Sequence, residues 1–390
     1  MRGDVLSTKA RRAPRRPHPY RPDMSRISAV RVALPENVHR QDEITEVLAD
    51  VVLGHEPPGS PKRELLRRLH ASAGVSSRHL ALPLDRYADL GGFGAANDAW
   101  IDVGLRLGEQ AIAQAVAAAG VAPADVDLIM TTSVTGLAAP SLDARLAGRV
   151  GLREDVKRVP MFGLGCVAGA AGIARLHDHL RGHPDDVAVL LSVELCSLTF
   201  QRDDPSTANL VGSALFGDGA AAVVMVGERR AAALGHDRAP RVRATRSRLY
   251  PDSERVMGWD VGGSGFRLVL AATVADVVDK YLGDDVDAFL AAHDLAVADV
   301  ATWIAHPGGP KVIEAIGRAL GLPDDALDVT RRSLASIGNL SSSSVLHVLQ
   351  ETLALRAGAS EVAGAGGGGG PAVMLAMGPG FCSELVLLDW

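Results

Sequence analysis

Residues 118–126 read AAGVAPADV and residues 292–300 read AHDLAVADV, and an apolar run follows each, DLIMTTS in the first case and ATWIAHP in the second. A chain that repeats an ordered succession of elements is constrained to fold as two similar units packed together. The offset is 174 residues, and it carries Gly165 onto Asn339. Further on, AVLLSVE (188–194) and AVMLAMG (372–378) match as strands once an insertion is allowed, for which the GAGGGGG run at 364–370 is the candidate.

Within each unit, helical patterns alternate with short Val/Ile/Leu-rich runs. VGLRLGEQAIAQAVAAAG precedes VDLIMTTS, LDARLAGRVG precedes VKRVPMFGLG, and GIARLHDHLRG precedes DVAVLLSVE. LFGDGAAAVVMVG then closes the first half with an Asp-Gly turn and a buried strand. Near-continuous apolar strands between helices predict a mostly parallel sheet covered on both faces. Two such α/β units, residues 27–235 and 236–390, predict a five-layer αβαβα arrangement with the equivalent helices meeting at the seam.

The 390 residues are 47% hydrophobic with a mean hydropathy of +0.13, which suits a large buried core and excludes disorder as the dominant state. No apolar stretch is long enough to span a bilayer, and the N-terminus lacks the apolar core of a secretory signal. Cys166, Cys196 and Cys382 are too few and too scattered for a disulfide framework or a zinc site, so a reducing cytoplasm is expected and no metal. A formal charge of −6 argues against a general nucleic-acid binder. Residues 1–26 depart from this average: they are rich in Arg and Pro without apolar periodicity. They read as a disordered basic extension, a basic arm, or sequence upstream of a true start at Met24.

Cys166 sits in FGLGCVAGAA, a glycine-flanked loop feeding a helix, where the first-turn dipoles favour a thiolate nucleophile. His306 in AHPGGPKV ends a strand, a usual place for a site in α/β folds, and Asn339 lies in SIGNLSSSSV. Separately, a cysteine among Gly and Ala packs, a strand-end histidine is satisfied locally, and an asparagine before SSSS caps a helix. Together, Cys, His and Asn in separate loop-to-helix settings are the parts of an acyl-transfer site.

GCVAGAAG around Cys166, LFGDGAAA around Phe216, HPGGP from His306, GNLSSSS around Asn339 and AMGPG at 376–380 resemble the type III polyketide synthases. These are the chalcone-synthase-like branch of the thiolase superfamily, and the resemblance covers residues 27–390. Met377 stands where the family's GFGPG has Phe. The ketoacyl synthase III type of fatty-acid initiation enzyme shares Cys, His and Asn but carries HQAN where this chain has HPGG, and it lacks the GPG loop. Cys382, in GPGFCSE, lacks the glycine context of a second thiolase cysteine and reads as packing.

The resemblance implies a homodimer working on acyl-CoA and malonyl-CoA without metal or redox cofactor. Cys166 would carry the acyl chain, with His306 as an imidazolium partner to its thiolate, and His306 and Asn339 would hold the malonyl-derived enolate. Phe216 and Phe266 match a gatekeeper pair between the CoA tunnel and the reaction cavity. Cys196, Thr199, Met257, Ser341 and Ala139 align with cavity-lining positions. Lys62, Arg63, Arg67 and Arg68 on one predicted helix, with Gly308, would meet CoA. Ala139 stands where plant enzymes place a methionine reaching into the partner's cavity, so a long acyl tail is expected to find room. The expected product is an alkylresorcinol, alkylresorcylic acid or alkylpyrone from a fatty acyl-CoA starter. The alternatives are tetrahydroxynaphthalene from malonyl-CoA alone, to which Cys196 also points, and a ketoacyl synthase III-type fatty-acid initiation enzyme.

Overall fold

The computed structural model describes residues 24–363 and 369–390. Of the basic extension expected over residues 1–26, residues 1–23 lie outside the described residues, as does most of the glycine run, whereas Ser25 and Arg26 already belong to the first strand, Ser25–Ala33, which moves the start of the first unit ahead of residue 27.

Nine strands form one sheet in the order Thr302–Ala305, Ala372–Gly378, Cys382–Asp389, Arg241–Leu249, Ser25–Ala33, Asp218–Gly227, Val187–Leu195, Val126–Ser133, Lys157–Phe162. Within this sheet, among the described residues, the strands of the two halves pair only where Ser25 and Arg26 meet Val242 and Arg241, so the sheet is two sheets joined at two residue pairs. The strand Val187–Leu195 is buried along its whole length, and its faces go to different cores. Val187, Val189, Leu191 and Val193 pack with the helix Phe93–Ala118, which covers the outside of the first half. Ala188 and Leu190 turn the other way, onto the helix Ala168–Gly182. In the second half, Ala372, Met374 and Ala376 face that same central core, while Val373, Leu375 and Met377 face the outer helices Val274–Ala291 and Pro310–Leu320. Period-two alternation on doubly covered strands thus produces five layers. The middle layer is the pair of helices Ala168–Gly182 and Ser344–Ala363.

Three features differ from the sequence expectation. The sheet is mixed: three of its strand pairings are parallel and five antiparallel. The connection from Gly378 to Cys382 is a tight turn, which can only join antiparallel neighbours, and the strand Asp218–Gly227 likewise returns against Val187–Leu195. Asp218 opens that strand rather than making a hairpin turn, and its buried carboxylate accepts from the backbone N–H groups of Ala81 and Ser197.

The internal offset also changes along the chain. The short 3-10 turns Pro123–Asp125 and Val297–Asp299 keep the offset of 174. At the central helices it is 176: the 3-10 turn Gly165–Val167 corresponds to Ser341–Ser343, and each begins with a left-handed residue, Gly165 at φ 56° and Ser341 at φ 47°. Cys166 is therefore equivalent to Ser342, and Asn339 lies two residues from the repeat position assigned from sequence, opposite Gly163 rather than Gly165. Among the described residues no helix is long and apolar enough to cross a membrane.

Candidate active site

Cys166 sits in the 3-10 turn that leads into Ala168–Gly182, and the turn's counterpart Ser341–Ser343 packs directly on it. Ser341 holds a left-handed conformation that L side chains seldom adopt, a strain that persists only where surrounding structure enforces it. Its Oγ lies 3.7 Å from Cys166 Sγ in a hydrogen bond across the seam.

His306 follows the strand Thr302–Ala305, and its N–H donates to the Leu375 carbonyl at 2.9 Å. Asn339 is fixed by its backbone: its N–H donates to the Leu215 carbonyl (2.8 Å), and its own carbonyl accepts from Gly217 N–H (3.0 Å). Its side chain closes a local turn, with Oδ1 accepting from Ser341 N–H at 2.8 Å and Nδ2 donating to the Gly308 carbonyl at 3.4 Å. One N–H of that amide remains for the cavity. Asn339 thus orients the turn before the central helix, whose first residue is Ser344.

These three side chains are 8%, 4% and 3% exposed, and they line one cavity of about 580 Å³. The remaining wall is apolar, including Leu215, Phe216, Met257 and Phe381, with Gly308 beside His306. Burial pushes the Cys166 thiol up to about 12, against the smaller opposing effect of the Ser341 hydrogen bond. Burial also pushes His306 down to about 3, and neither ring nitrogen has a hydrogen-bond partner among the described residues. Burial thus favours the neutral thiol and the neutral imidazole, acting against the thiolate–imidazolium pair expected from sequence.

Phe216 belongs to two cavities, the one above and a neighbour of about 590 Å³ that carries Cys196 and Thr199. Thr199 Oγ1 is turned back onto the Cys196 carbonyl at 2.7 Å. Phe266 does not line the Cys166 cavity. It borders a third space of about 1040 Å³ and is held by Phe93 edge-on at 5.4 Å, with Phe162 and Trp259 at 6.2 and 6.1 Å. The hairpin Met257–Gly262 with Gly265–Leu270 roofs all three spaces, through Met257, Trp259, Phe266 and Leu268.

The basic helix is only partly available to a ligand. Arg63 is buried, pairs with Asp50 at 2.9 Å and donates Nε to the Leu53 and Glu56 carbonyls. Arg67 is held between Glu46 and Glu64, and Lys62 reaches Glu56 at 2.8 Å. Arg68 is exposed and makes no ion pair among the described residues. Ala139 is exposed and borders none of these cavities. His179, His183 and Asp186 form the one cluster of three possible metal-ligating side chains among the described residues, and none lines the Cys166 cavity.

Sequence reading missed Glu194, a fully buried carboxylate one strand away. It accepts from Ser133 Oγ, Val134 N–H and Thr135 Oγ1 of the first half and from Ser342 Oγ of the second, while burial raises its affinity for a proton. The available signal was a lone glutamate inside the apolar run AVLLSVELC, opposite a run of four serines.

Comparison with known proteins agrees with this architecture. The N-terminal domain of the chalcone and stilbene synthases matches residues 21–229, and their C-terminal domain matches residues 241–389. The solved 1,3,6,8-tetrahydroxynaphthalene synthase of Streptomyces coelicolor A3(2), a bacterial type III polyketide synthase, superposes with a TM-score of 0.83 at 27% identity, covering 94% of this chain and 99% of that one. A polyketide synthase of the brown alga Ectocarpus siliculosus, at 22% identity and a TM-score of 0.84, shares the fold over 95% of this chain and all of its own. In sequence, the chain is 58% identical over 367 residues to a 1,3,6,8-tetrahydroxynaphthalene synthase of Streptomyces peucetius subsp. caesius, covering 93% of each. It is 35% identical over 324 residues to a putative chalcone synthase of Bacillus subtilis, covering 81% of this chain and 86% of that one. The layered duplication is the thiolase-like fold of a condensing enzyme. The chain belongs to the chalcone and stilbene synthase family and is a type III polyketide synthase.

Proposed function

We propose that this enzyme is a tetrahydroxynaphthalene synthase that uses malonyl-CoA as both starter and extender. The observation that carries the reading is 58% identity, over 93% of both chains, to a relative bearing that name. The fatty acyl starter expected from sequence gives way to it. Relatives of Streptomyces griseus and Streptomyces coelicolor, at 29% and 28% identity, carry the same name.

In this reading Cys166 Sγ attacks the starter thioester while its proton passes to His306, and CoA leaves with that proton. Malonyl-CoA then enters, its C–C bond to the carboxylate breaks, and carbon dioxide departs. The electron pair moves onto the thioester oxygen. The His306 ring N–H and the spare Asn339 amide N–H donate to that enolate oxygen, each such donor lowering the barrier by about 3 kcal/mol in comparable sites. The Phe216 wall leaves the leaving carboxylate poorly solvated, which favours its loss. The enolate carbon attacks the Cys166 thioester, sulfur leaves, and the lengthened chain returns from CoA to Cys166. The extension steps as written run on Cys166, His306, Asn339 and the two thioesters, and this reading calls on no cofactor.

Malonyl-CoA alone, incubated with the purified enzyme, should give tetrahydroxynaphthalene by mass spectrometry. A strict requirement for a second acyl-CoA would refute the reading.

A further inference from the structure

The hairpin that roofs the three spaces pairs with no other strand. A two-stranded sheet on its own is marginal in water, so contacts from outside must hold it in place. Its base is closed by Ala271 N–H, which donates to the Val256 carbonyl at 2.9 Å. Leu268 rests on the helix Thr207–Leu215, where a Cβ at Gly212 would lie 2.7 Å from Leu268 Cδ2. At the tip, Gln201 Nε2 donates to the Ser264 carbonyl at 3.2 Å and the Phe266 carbonyl at 3.1 Å. It also donates to Thr199 in its own loop at 3.0 Å, so two N–H groups serve three carbonyls. Apart from the adjacent Arg255 on Asp260, Gln201 makes the hydrogen bonds that reach the hairpin from outside it among the described residues.

Gln201 is itself anchored. Its carbonyl accepts from Asn209 Nδ2 at 2.7 Å, and Asn209 is buried on the helix that runs directly into Phe216. The three spaces adjoin in a row. Phe216 and Leu268 are common to the Cys166 cavity and the Cys196 cavity, and Tyr87, Thr199 and Phe200 are common to the latter and the third space. The hairpin's ends, Met257 and Leu270, wall the Cys166 cavity, whereas Ser264 and Phe266 at its tip border the third space alone. A hairpin closed at its base and loosened at its tip therefore moves most over the third space and least at Cys166.

We propose that Gln201 is a positioning residue for chain elongation, latching the hairpin tip over the third space so that the growing chain stays confined until its last condensation. Decarboxylation needs the Cys166 cavity with His306 and Asn339. Completing the chain needs the closed roof as well. With the latch gone, water reaches the partly extended thioester and adds to its carbonyl. The C–S bond breaks, a short acid departs, and Cys166 Sγ regains a proton.

Two variants test this. Gln201→Leu removes the donors at similar reach, and Gln201→Asn keeps the amide one methylene short of the tip. Hydrogen exchange by mass spectrometry on the peptide covering 257–270, read without substrate, tests the latch whichever acyl group loads Cys166. Exchange there should quicken about fivefold to tenfold in both variants, the factor one net hydrogen bond carries, while the strand Val187–Leu195 exchanges as in the native enzyme. Turnover is then followed with malonyl-CoA and any second starter the native enzyme requires, against whichever product that enzyme forms. A failed malonyl-starter reading therefore leaves this test standing. Carbon dioxide release should stay near the native rate while final product falls, raising their molar ratio about fivefold or more as short acids appear. A merely structural role would lower both together. Unchanged exchange at the hairpin, or an unchanged ratio of carbon dioxide to product, overturns the assignment.

Discussion

Gly169 packs against the turn Ser341–Ser343 and the start of the second central helix, and replacing it with alanine tests whether the seam is as tight as the structure has it. A Cβ built there would lie 2.3 Å from the Ser342 carbonyl oxygen, 2.7 Å from Val345 Cγ1 and 3.3 Å from Leu346 Cγ. Two opposing effects act. Alanine in a helix interior is favoured over glycine by about 1 kcal/mol. Against this, a backbone carbonyl must retreat by more than half an ångström in a core with no slack, and such overpacking costs about 1–3 kcal/mol. Backbone is the obstacle rather than a flexible side-chain end, so the upper part of that range applies, and Gly169→Ala should destabilise by about 1–2 kcal/mol net. The displaced segment carries Ser341, bonded to Cys166, and Ser342, bonded to Glu194, so malonyl-CoA decarboxylation should fall with it. Gly317→Ala is the control: in the helix Pro310–Leu320 its Cβ would meet nothing within 4 Å. There only the propensity gain acts, about 1 kcal/mol in favour of the variant. Urea midpoints at equal protein concentration measure both. If Gly169→Ala proves as stable and as active as Gly317→Ala, the close helix contact is wrong.

Asn339→Ala should still acylate Cys166 but release carbon dioxide from malonyl-CoA about a hundredfold to a thousandfold more slowly, since it removes one enolate donor; an unchanged rate takes Asn339 out of that role. With Cys166 pushed up to about 12 and His306 down to about 3, neither ionises in the resting enzyme near neutrality. Alkylation of Cys166 by iodoacetamide should therefore rise about tenfold per pH unit from pH 6 to 9, and a plateau below pH 8 would restore the preformed ion pair. Burial also holds His70, His177 and His347 low, at about 3, 4 and 4. Each of these bases, with His306, binds its proton in the unfolded chain near pH 6.5 but not in the folded one until much lower. Stability should thus fall as pH drops below 6.5, by about 2 kcal/mol per histidine at pH 5. Asp218, raised to about 6 by burial, acts in the opposite sense between pH 6 and 3.8 and offsets part of the loss. A melting temperature that does not decline between pH 7 and 5 would show that these histidines are not held neutral. Finally, the edge strand Lys157–Phe162 leaves Phe162 50% exposed, and Leu137 nearby is 43% exposed. We expect a homodimer across this edge; light scattering should show Phe162→Glu shifted to monomer, and a native monomer would refute it.

The layering was legible because it depends on local pattern. Strands such as VAVLLSVEL are apolar on both faces, and only a covered sheet tolerates that. Cys166, His306 and Asn339 were legible for a related reason, each lying at the end of a strand or the start of a helix where the repeat places a loop. The mixed strand directions were less accessible, because they follow from connections whose length says little about direction unless, as at Gly378 to Cys382, the turn is very short.

What sequence could not supply was the balance of electrostatics inside the seam. The local rule put a thiolate at a helix start, but the charge of that sulfur depends on every wall around it. Those walls come from Leu215, Met257 and Phe381, far apart in the chain. Arg78 and Glu194 escaped notice for the converse reason. A charged residue usually points to water, and these two are interior among partners distant in the chain, Ser213 and Phe216 for Arg78, and Ser133, Thr135 and Ser342 for Glu194. The extra residues that move the offset from 174 to 176 have the same origin. They place Ser342 opposite Cys166 in the repeat and leave Ser341 in a left-handed conformation at the sulfur. Duplication gave both halves the same turn. Glycine kept it unstrained in the first half, and in the second a serine bears the strain and places its hydroxyl on the nucleophile.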